Sequence, residues 1–537
     1  MKIFQRKLVF LISALIIALL AVGCGESVRT SQQLDEPMSQ STATIGSLVE
    51  AFSLDLIGVE GYALVGGLRG TGSSECPPEI RASLKQYILK RLPKHDIDRL
   101  INSSDTAVVV VTGQMPAAVS RPAYFDLKVT ALEGTQTTSI EGGLLYGADL
   151  KAAGAFGMAM KVLATAQGPI FIDTIGSDKP DKKVGYVLAG GTVLDEYNVR
   201  LDLKVPNYMA ANAICNRLNE KWPDVANAIS ASRIELKVPA EYKERKQRFI
   251  SVVKAIYLMA NPEITKERIR NAVRQLAASQ EKHTSEIILE AIGNESIEKL
   301  SILLKSSDEQ VRLRAARCIL NLGGDEGLET LRAIAMDKGS TFRIEALEAI
   351  ASGARRNDAS AILRKLLCDD DFDIRLAAYE NLRKLDDISI TQRLIGRNFY
   401  LEQVVEARRK GIFVSRSGQP RIVLFGAPIY CRNNIFVQSR DDSIVINALA
   451  DQKRVTLMRK HPARFNKAPI KLESSFKLSD IIQTLCAEPV SKSDQDGPGL
   501  GVSYAEVIGL LNQMCSEGVI KDVGAEDFHA GAMPKFQ

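Results

Sequence analysis

Three stretches decide the fold: DEQVRLRA at Asp308–Ala315, GSTFRIEA at Gly339–Ala346 and DFDIRLAA at Asp371–Ala378. In each, an apolar residue, an Arg and an Ala take matching places, and Arg312, Arg343 and Arg375 stand 31 and 32 residues apart. Each stretch runs on at helical spacing (Ile319–Leu322, Leu347–Ile350, Leu382–Leu385), and intervening segments such as Ala361–Cys368 are helical as well. Ala at the inner turn lets paired helices approach, and an Asp ahead of the helix accepts hydrogen bonds from its free amides. Gly339 stands where the other two repeats have Asp, so the middle repeat is expected to be locally weaker. An unspecialised helical bundle has neither a period nor a recurring Arg. The pattern predicts stacked helix pairs.

This array resembles HEAT repeats over residues 263–390. The resemblance implies an all-α solenoid in which Arg312, Arg343 and Arg375 tie neighbouring repeats together, rather than binding an anionic ligand. Outward from the array, both flanks change character. Residues 45–262 mix elements: Pro77-Pro78 opens an amphipathic helix with Ile80, Leu84, Ile88 and Leu92 on one face. Ala107–Thr112 reads as a buried strand, while Phe125, Leu127, Val129 and Ala131, and then Val199, Leu201, Leu203 and Val205, alternate with polar neighbours. Helices are expected near Ala210–Glu220 and Phe249–Met259. Residues 391–537 return to strands at Arg421–Phe425 and Asn434–Val437 around a Gly426–Pro428 turn. Helices follow at Leu478–Leu485 and Val507–Met514, with a loop at Ser491–Gly501 between them.

The chain opens with Lys2, Arg6 and Lys7 ahead of an apolar run from Leu8 to Val22, the pattern of a signal peptide over residues 1–23. Leu20-Ala21-Val22-Gly23-Cys24 is similar to a bacterial lipobox, with Ala21 where Leu is usual. Two readings stand open: Cys24 becomes an acylated membrane anchor, or the signal is an ordinary cleaved one. Residues 24–44 are polar and read as a flexible leader. Seven further cysteines (Cys76, Cys215, Cys318, Cys368, Cys431, Cys486, Cys515) show no disulfide spacing. Cys318 and Cys368 fall on apolar helix faces as small buried hydrophobes.

The glycine-rich run Leu56–Gly72 (LIGVEGYALVGGLRGTG) contains no phosphate-loop pattern, so Gly66, Gly67, Gly70 and Gly72 mean turns or close backbone approach. Together with Ala107–Thr112, Met115-Pro116, Arg121-Pro122, Phe125–Val129, Gly142–Leu145, Ala164–Pro169 (including Gly168) and Gly191–Glu196, in that order, it resembles the bacterial flagellar P-ring protein family. Ile422–Gly426 and Asn434–Val437 are similar to a strand pair of that family. Leu478–Ile482, Glu506–Leu510 and Gly518–Ile520 are similar to its closing segment. The helical array is foreign to the usual member, and Val59-Glu60 lengthens the first motif. The implied fold is a multi-domain α+β one: P-ring-like mixed β/α regions at 45–262 and 391–537, interrupted by the solenoid.

The resemblance implies a structural subunit that closes head-to-tail into a homo-oligomeric ring around the distal rod, in the periplasm. Its partners would be rod and L-ring proteins and the peptidoglycan layer, with a membrane contact if Cys24 is acylated. The alternative is a periplasmic lipoprotein scaffold built on the same fold without a flagellum. Composition narrows the rest. With 69 Lys+Arg against 64 Asp+Glu in 537 residues, the net charge of +5 argues against a nucleic-acid binder. The four His (His95, His283, His461, His529) are scattered, so no metal, cofactor or His-based catalytic site is expected. Asp195 and Glu196, adjacent on a strand, would point to opposite faces and not flank one bond, and Asp369–Asp371 and Asp441-Asp442 read as turns or caps. No enzyme is expected.

Overall fold

The computed structural model describes residues 43–536, except 54, 92–100, 118–121, 155–160, 176–178, 195–197, 260, 397, 461–468 and 489–498. Leu92, Asp195, Glu196, Cys24 and most of the Ser491–Gly501 loop therefore lie outside the described residues.

The first flank is two units. A short helix α1 (Ile45–Leu48) leads into β1 (Val49–Phe52), and then six strands close into a barrel of order β2-β3-β4-β7-β6-β5. These are β2 (Leu56–Gly66), β3 (Thr106–Pro116), β4 (Tyr124–Ala131), β5 (Leu144–Ala152), β6 (Ala164–Pro169) and β7 (Val184–Val193). Alternation does what the sequence asks: Phe125, Leu127, Val129 and Ala131 all point inward. The Phe125 ring fills the barrel because its neighbours are glycines; a Cβ on Gly113 or Gly191 would come within 2.7 or 2.6 Å of it. Helix α2 (Pro78–Arg91) covers the outside, burying Leu84 and Ile88 against Leu64 and Val108.

The second unit is an antiparallel sheet of order β1-β8-β10-β9, formed by β8 (Val199–Leu203), β9 (Ala226–Ser230) and β10 (Arg233–Leu236). Its inner face packs on α3 (Tyr208–Lys221) and α4 (Lys246–Ala255), with Trp222 edge-on to Tyr242 and Phe249. The alternation expected through Val205 stops one step early. The strand ends at Leu203 and Val205 is 75% exposed, because Asn207 turns the chain to cap α3, accepting from the Met209 and Ala210 amides. Helix α4 likewise ends at Ala255 rather than Met259.

Eight helices form the array: α5 (Pro262–Ala278), α6 (Lys282–Ile292), α7 (Ile297–Leu303), α8 (Glu309–Asn321), α9 (Leu328–Met336), α10 (Arg343–Gly353), α11 (Arg356–Leu366) and α12 (Phe372–Lys384). The repeat signature lies at the starts of α8, α10 and α12, where Ala315, Ala346 and Ala378 are fully buried. Asp308 caps α8 and Asp371 caps α12 through their carboxylates. Helix α10 starts at Arg343, three residues later than the matching place in the other two repeats, so Gly339 lies outside its cap. The N-cap residue is Phe342, which supplies no side-chain acceptor, and Ser340 Oγ accepts from the Phe342 amide at 3.1 Å in the turn ahead.

The last region holds a five-stranded mixed sheet of order β11-β12-β14-β13-β19 and a four-stranded antiparallel sheet of order β15-β16-β17-β18. The first comprises β11 (Ile390–Ile395), β12 (Phe399–Val404), β13 (Gly411–Val414), β14 (Arg421–Phe425) and β19 (Phe528–Ala530). The second comprises β15 (Ile435–Gln438), β16 (Ile444–Ala448), β17 (Val455–Arg459) and β18 (Ile470–Ser474). The expected strand pair is thus divided: β14 and β15 belong to different sheets. Helices α13 (Leu478–Cys486) and α14 (Tyr504–Ser516) complete the region, and Ser503 and Glu506 close a capping box on α14. The continuous apolar run of β14 follows from burial on both faces. Ile422 and Leu424 join the core with α13 and α14, while Val423 and Phe425 join the core of the array.

Candidate assembly surfaces

A subunit that joins copies of itself needs open, apolar, regular surface, and closed barrels supply none at their strand edges. Among the described residues the sheet edges are β1, β9, β11, β19, β15 and β18. β11 pairs with β12 in unbroken register from Ile390↔Val404 to Ile395↔Phe399. Its four central residues are exposed, its other edge is open, and Ile388 and Leu394 are 89% and 51% exposed. On β15, Phe436 is exposed, as is Leu449 just beyond β16. The small sheet offers a third patch at one end, where the Asn207 amide donates to the Ala231 carbonyl and sets Val205, Tyr208 and Met209 near the β9–β10 turn. Such edges accept a further strand by backbone pairing.

The repeat arginines singled out from sequence make contacts within the array. Arg312 and Arg375 do not tie neighbouring repeats. Each donates to two carbonyls of the turn that precedes its own helix, Ser306 and Ser307 at 2.8 and 3.1 Å, and Asp369 and Asp370 at 2.8 Å each. Only Arg343 crosses, bonding Ala335 O at 3.0 Å and pairing with Asp369 of the next repeat. Helix α10 starts at Arg343 itself, so this Arg is the first residue of its helix, whereas Arg312 and Arg375 are each the fourth of theirs. Asp369 is held below the usual carboxylate range, its pairing with Arg343 outweighing partial burial. Asp441 accepts from Ser439 and Ser443 within its own turn.

The family-motif glycines serve close approach and turns. A Cβ on Gly66 would meet the Tyr146 ring, one on Gly72 would fall onto the Thr106 carbonyl, and one on Gly168 (φ +141°) would press on Val187. Gly67 and Gly70 have positive φ in open space. The seven described cysteines are free thiols, and burial pushes Cys431 and Cys515 up to about 12. Cys368 is only half-buried, its thiol donating to the Glu406 carbonyl at 3.0 Å. Among the described residues no cluster of three His, Cys, Asp or Glu suits a metal, and no helix is long and apolar enough to cross a membrane.

What pattern reading missed are the joints. The barrel meets the last region directly. Asp126 accepts from Ala189 N at 2.7 Å and from Gly418 N at 2.9 and 2.8 Å, Arg416 pairs with Asp173 at 2.9 Å, and Phe171 and Leu188 enter that region's core. Burial raises the Asp126 carboxyl against the pull of those amides. The C-terminal segment straps over the same seam: Arg416 donates to Gly531 O at 2.6 Å and Phe536 stacks on Tyr186. Asp126 lies in a quoted motif, but its partner is 292 residues away and leaves no local signal.

Comparison with known proteins fits this geometry. Residues 45–270 match the family model described as flagellar P-ring protein, and residues 297–383 match HEAT repeats. The flagellar P-ring protein of Thermotoga maritima is 30% identical over 211 residues, covering 36% of this chain and 61% of that protein. That of Rhodopseudomonas palustris is 29% identical over 213 residues, covering 36% and 55%. Flagellar P-ring protein 1 of Bradyrhizobium diazoefficiens is 27% identical over 252 residues, covering 44% and 65%. The chain therefore spans less than two thirds of the length of the curated relatives it matches. An engineered protein of solved structure aligns over 27% of the chain at 20% identity and a TM-score of 0.18, which carries no argument. Residues 45–270 are thus similar to flagellar P-ring proteins, and residues 297–383 to HEAT repeats.

Proposed function

We propose that this chain is a structural subunit of the flagellar P ring, closing head-to-tail around the distal rod in the periplasm. The observation that carries the reading is the seam around Asp126. The P-ring-like barrel and the region beyond the array share a core although the array separates them in sequence, as halves of one subunit must. A ring of identical subunits needs one heterologous interface repeated at every step, and the open edges of β11, β15 and the small sheet are surfaces of that kind. Rod and L-ring proteins and the peptidoglycan layer are the partners this role requires. The array would lie on the ring's periphery and offer extra protein or envelope contacts. Sedimentation and negative-stain microscopy of the mature chain test the proposal: closed rings are expected, whereas a monomer at every concentration, in a strain whose motility survives deletion, would leave only the scaffold reading.

A further inference from the structure

The array is held at both ends by buried carboxylates, and the two joints share one design. At its entrance, Glu286 and Glu290 on α6 are fully buried. Tyr242 donates to Glu290 at 2.9 Å, and Arg248 reaches both carboxylates from α4, at 2.7 Å to Glu286. Arg314 and Arg317 of α8 close on Glu286 at 2.9 and 2.7 Å. Burial opposes its ionised form, but hydrogen bonding with His283 and Arg317 and the charge of Arg248 hold it well below the usual carboxylate range. At the exit, Glu402 on β12 is fully buried; Tyr379 of α12 donates to it, and Arg383 adds a bond at 2.9 Å.

A third contact runs along the side. The segment Glu241–Arg248 faces the barrel through Lys246 and Gln247, which reach Asp55 at 3.1 and 2.6 Å. Its other side meets the C-terminal ends of three successive inner helices: Arg245 bonds Asn321 at 2.9 Å and Ser352 O at 3.5 Å, and Glu244 pairs with Lys384 at 2.6 Å. Barrel, small sheet and array are all keyed to these eight residues.

We propose that the array is a rigid brace, clamped at both ends and along one side, so that it fixes the spacing of the flanking regions instead of swinging from them. A charge left buried without its partner is strongly unfavourable, so each joint is either fully made or fully open. The joints therefore make the array and its flanks one cooperative unit.

Hydrogen exchange of the intact mature chain, read by mass spectrometry, tests this. In the wild type, α6, α8, α12 and β12 should open no faster than the flanking cores. Glu290→Gln should raise exchange in α6 and α8, and Glu402→Gln in α12 and β12, by about tenfold or more, the effect of one buried donor losing its acceptor, with the barrel strands unchanged. An array that opens much faster than both flanks in the wild type, or variants that leave these segments unaltered, would overturn the brace. Should a buried variant not fold, Arg245→Ala removes the side bonds to α8 and α10 and leaves the Glu244–Lys384 pair; faster exchange at the ends of α8 and α10 supports the proposal, and no change refutes it. The readout is made on single subunits and does not depend on whether they form rings.

Discussion

Replacing Asp126 by Ala should part the barrel from the region beyond the array. The carboxylate is the acceptor for two backbone amides, Ala189 N at 2.7 Å and Gly418 N at 2.8 and 2.9 Å, and the site is half-buried. A buried amide left without an acceptor costs about 1–3 kcal/mol, so two such amides put the loss at about 2–6 kcal/mol. Burial already opposes the ionised form of Asp126, and removing that charge returns part of the loss, which places the net effect near 2–4 kcal/mol. Asp126→Asn keeps one acceptor oxygen and sheds the charge, so it should lose about half as much. Urea denaturation followed by barrel and C-terminal reporters separates the cases. The Ala variant should show a lower midpoint and a transition split in two, while Asn should lie between it and the wild type. An Ala variant within about 0.5 kcal/mol of the wild type, unfolding in one step, would refute the seam as the joint between the halves.

Other expectations are as direct. Gly72→Ala, whose Cβ would strike the Thr106 carbonyl, should cost about 1–3 kcal/mol, and Gly67→Ala, strained only by its φ of +80°, about 1 kcal/mol; thermal melts in the reverse order would contradict the reading of these glycines. Asp308→Ala, which removes the carboxylate cap of α8, should cost about 1 kcal/mol in the same melts, whereas Gly339→Asp, three residues ahead of the α10 cap position, should change them by less than about 0.5 kcal/mol. His529 stacks on Phe372 beside Arg375, and burial and that cation hold it below its usual 6.5. The unfolded form thus binds its proton first, so stability is present above that range and lost as pH falls through it; the protection of Phe528–Gly531 amides, taken relative to their intrinsic exchange rate at each pH, should fall between pH 7 and 5, and His529→Gln should abolish that fall. Fatty-acid labelling of the wild type, absent from Cys24→Ser, is expected if Cys24 is the anchor, and no labelling of either makes the signal an ordinary one.

Local physics made part of this legible and left the rest silent. The array's period, its buried Ala positions and the Asp caps are written within a single helix turn, so they read directly from Asp308–Ala315 and its echoes. The same holds for the alternation of Phe125–Ala131. Arg312 and Arg375 were misjudged because a side chain four residues into a helix can reach back to its own turn as readily as forward to the next repeat. The division of the first flank into barrel and sheet was invisible because β1 pairs with β8, some 150 residues on. The joints at Asp126, Glu290 and Glu402 pair residues far apart in sequence, and their carboxylates look like any surface acid until the fold buries Glu290 and Glu402 and half-buries Asp126.

The central claim is that the two flanks and the brace form one tile of a ring. Electron cryomicroscopy of basal bodies isolated from cells that make this chain tests it most directly. The expected map shows a closed ring around the rod in which each subunit carries one helical lobe on its outer rim. Basal bodies whose ring has no such lobes, with this chain recovered elsewhere in the envelope, would contradict it.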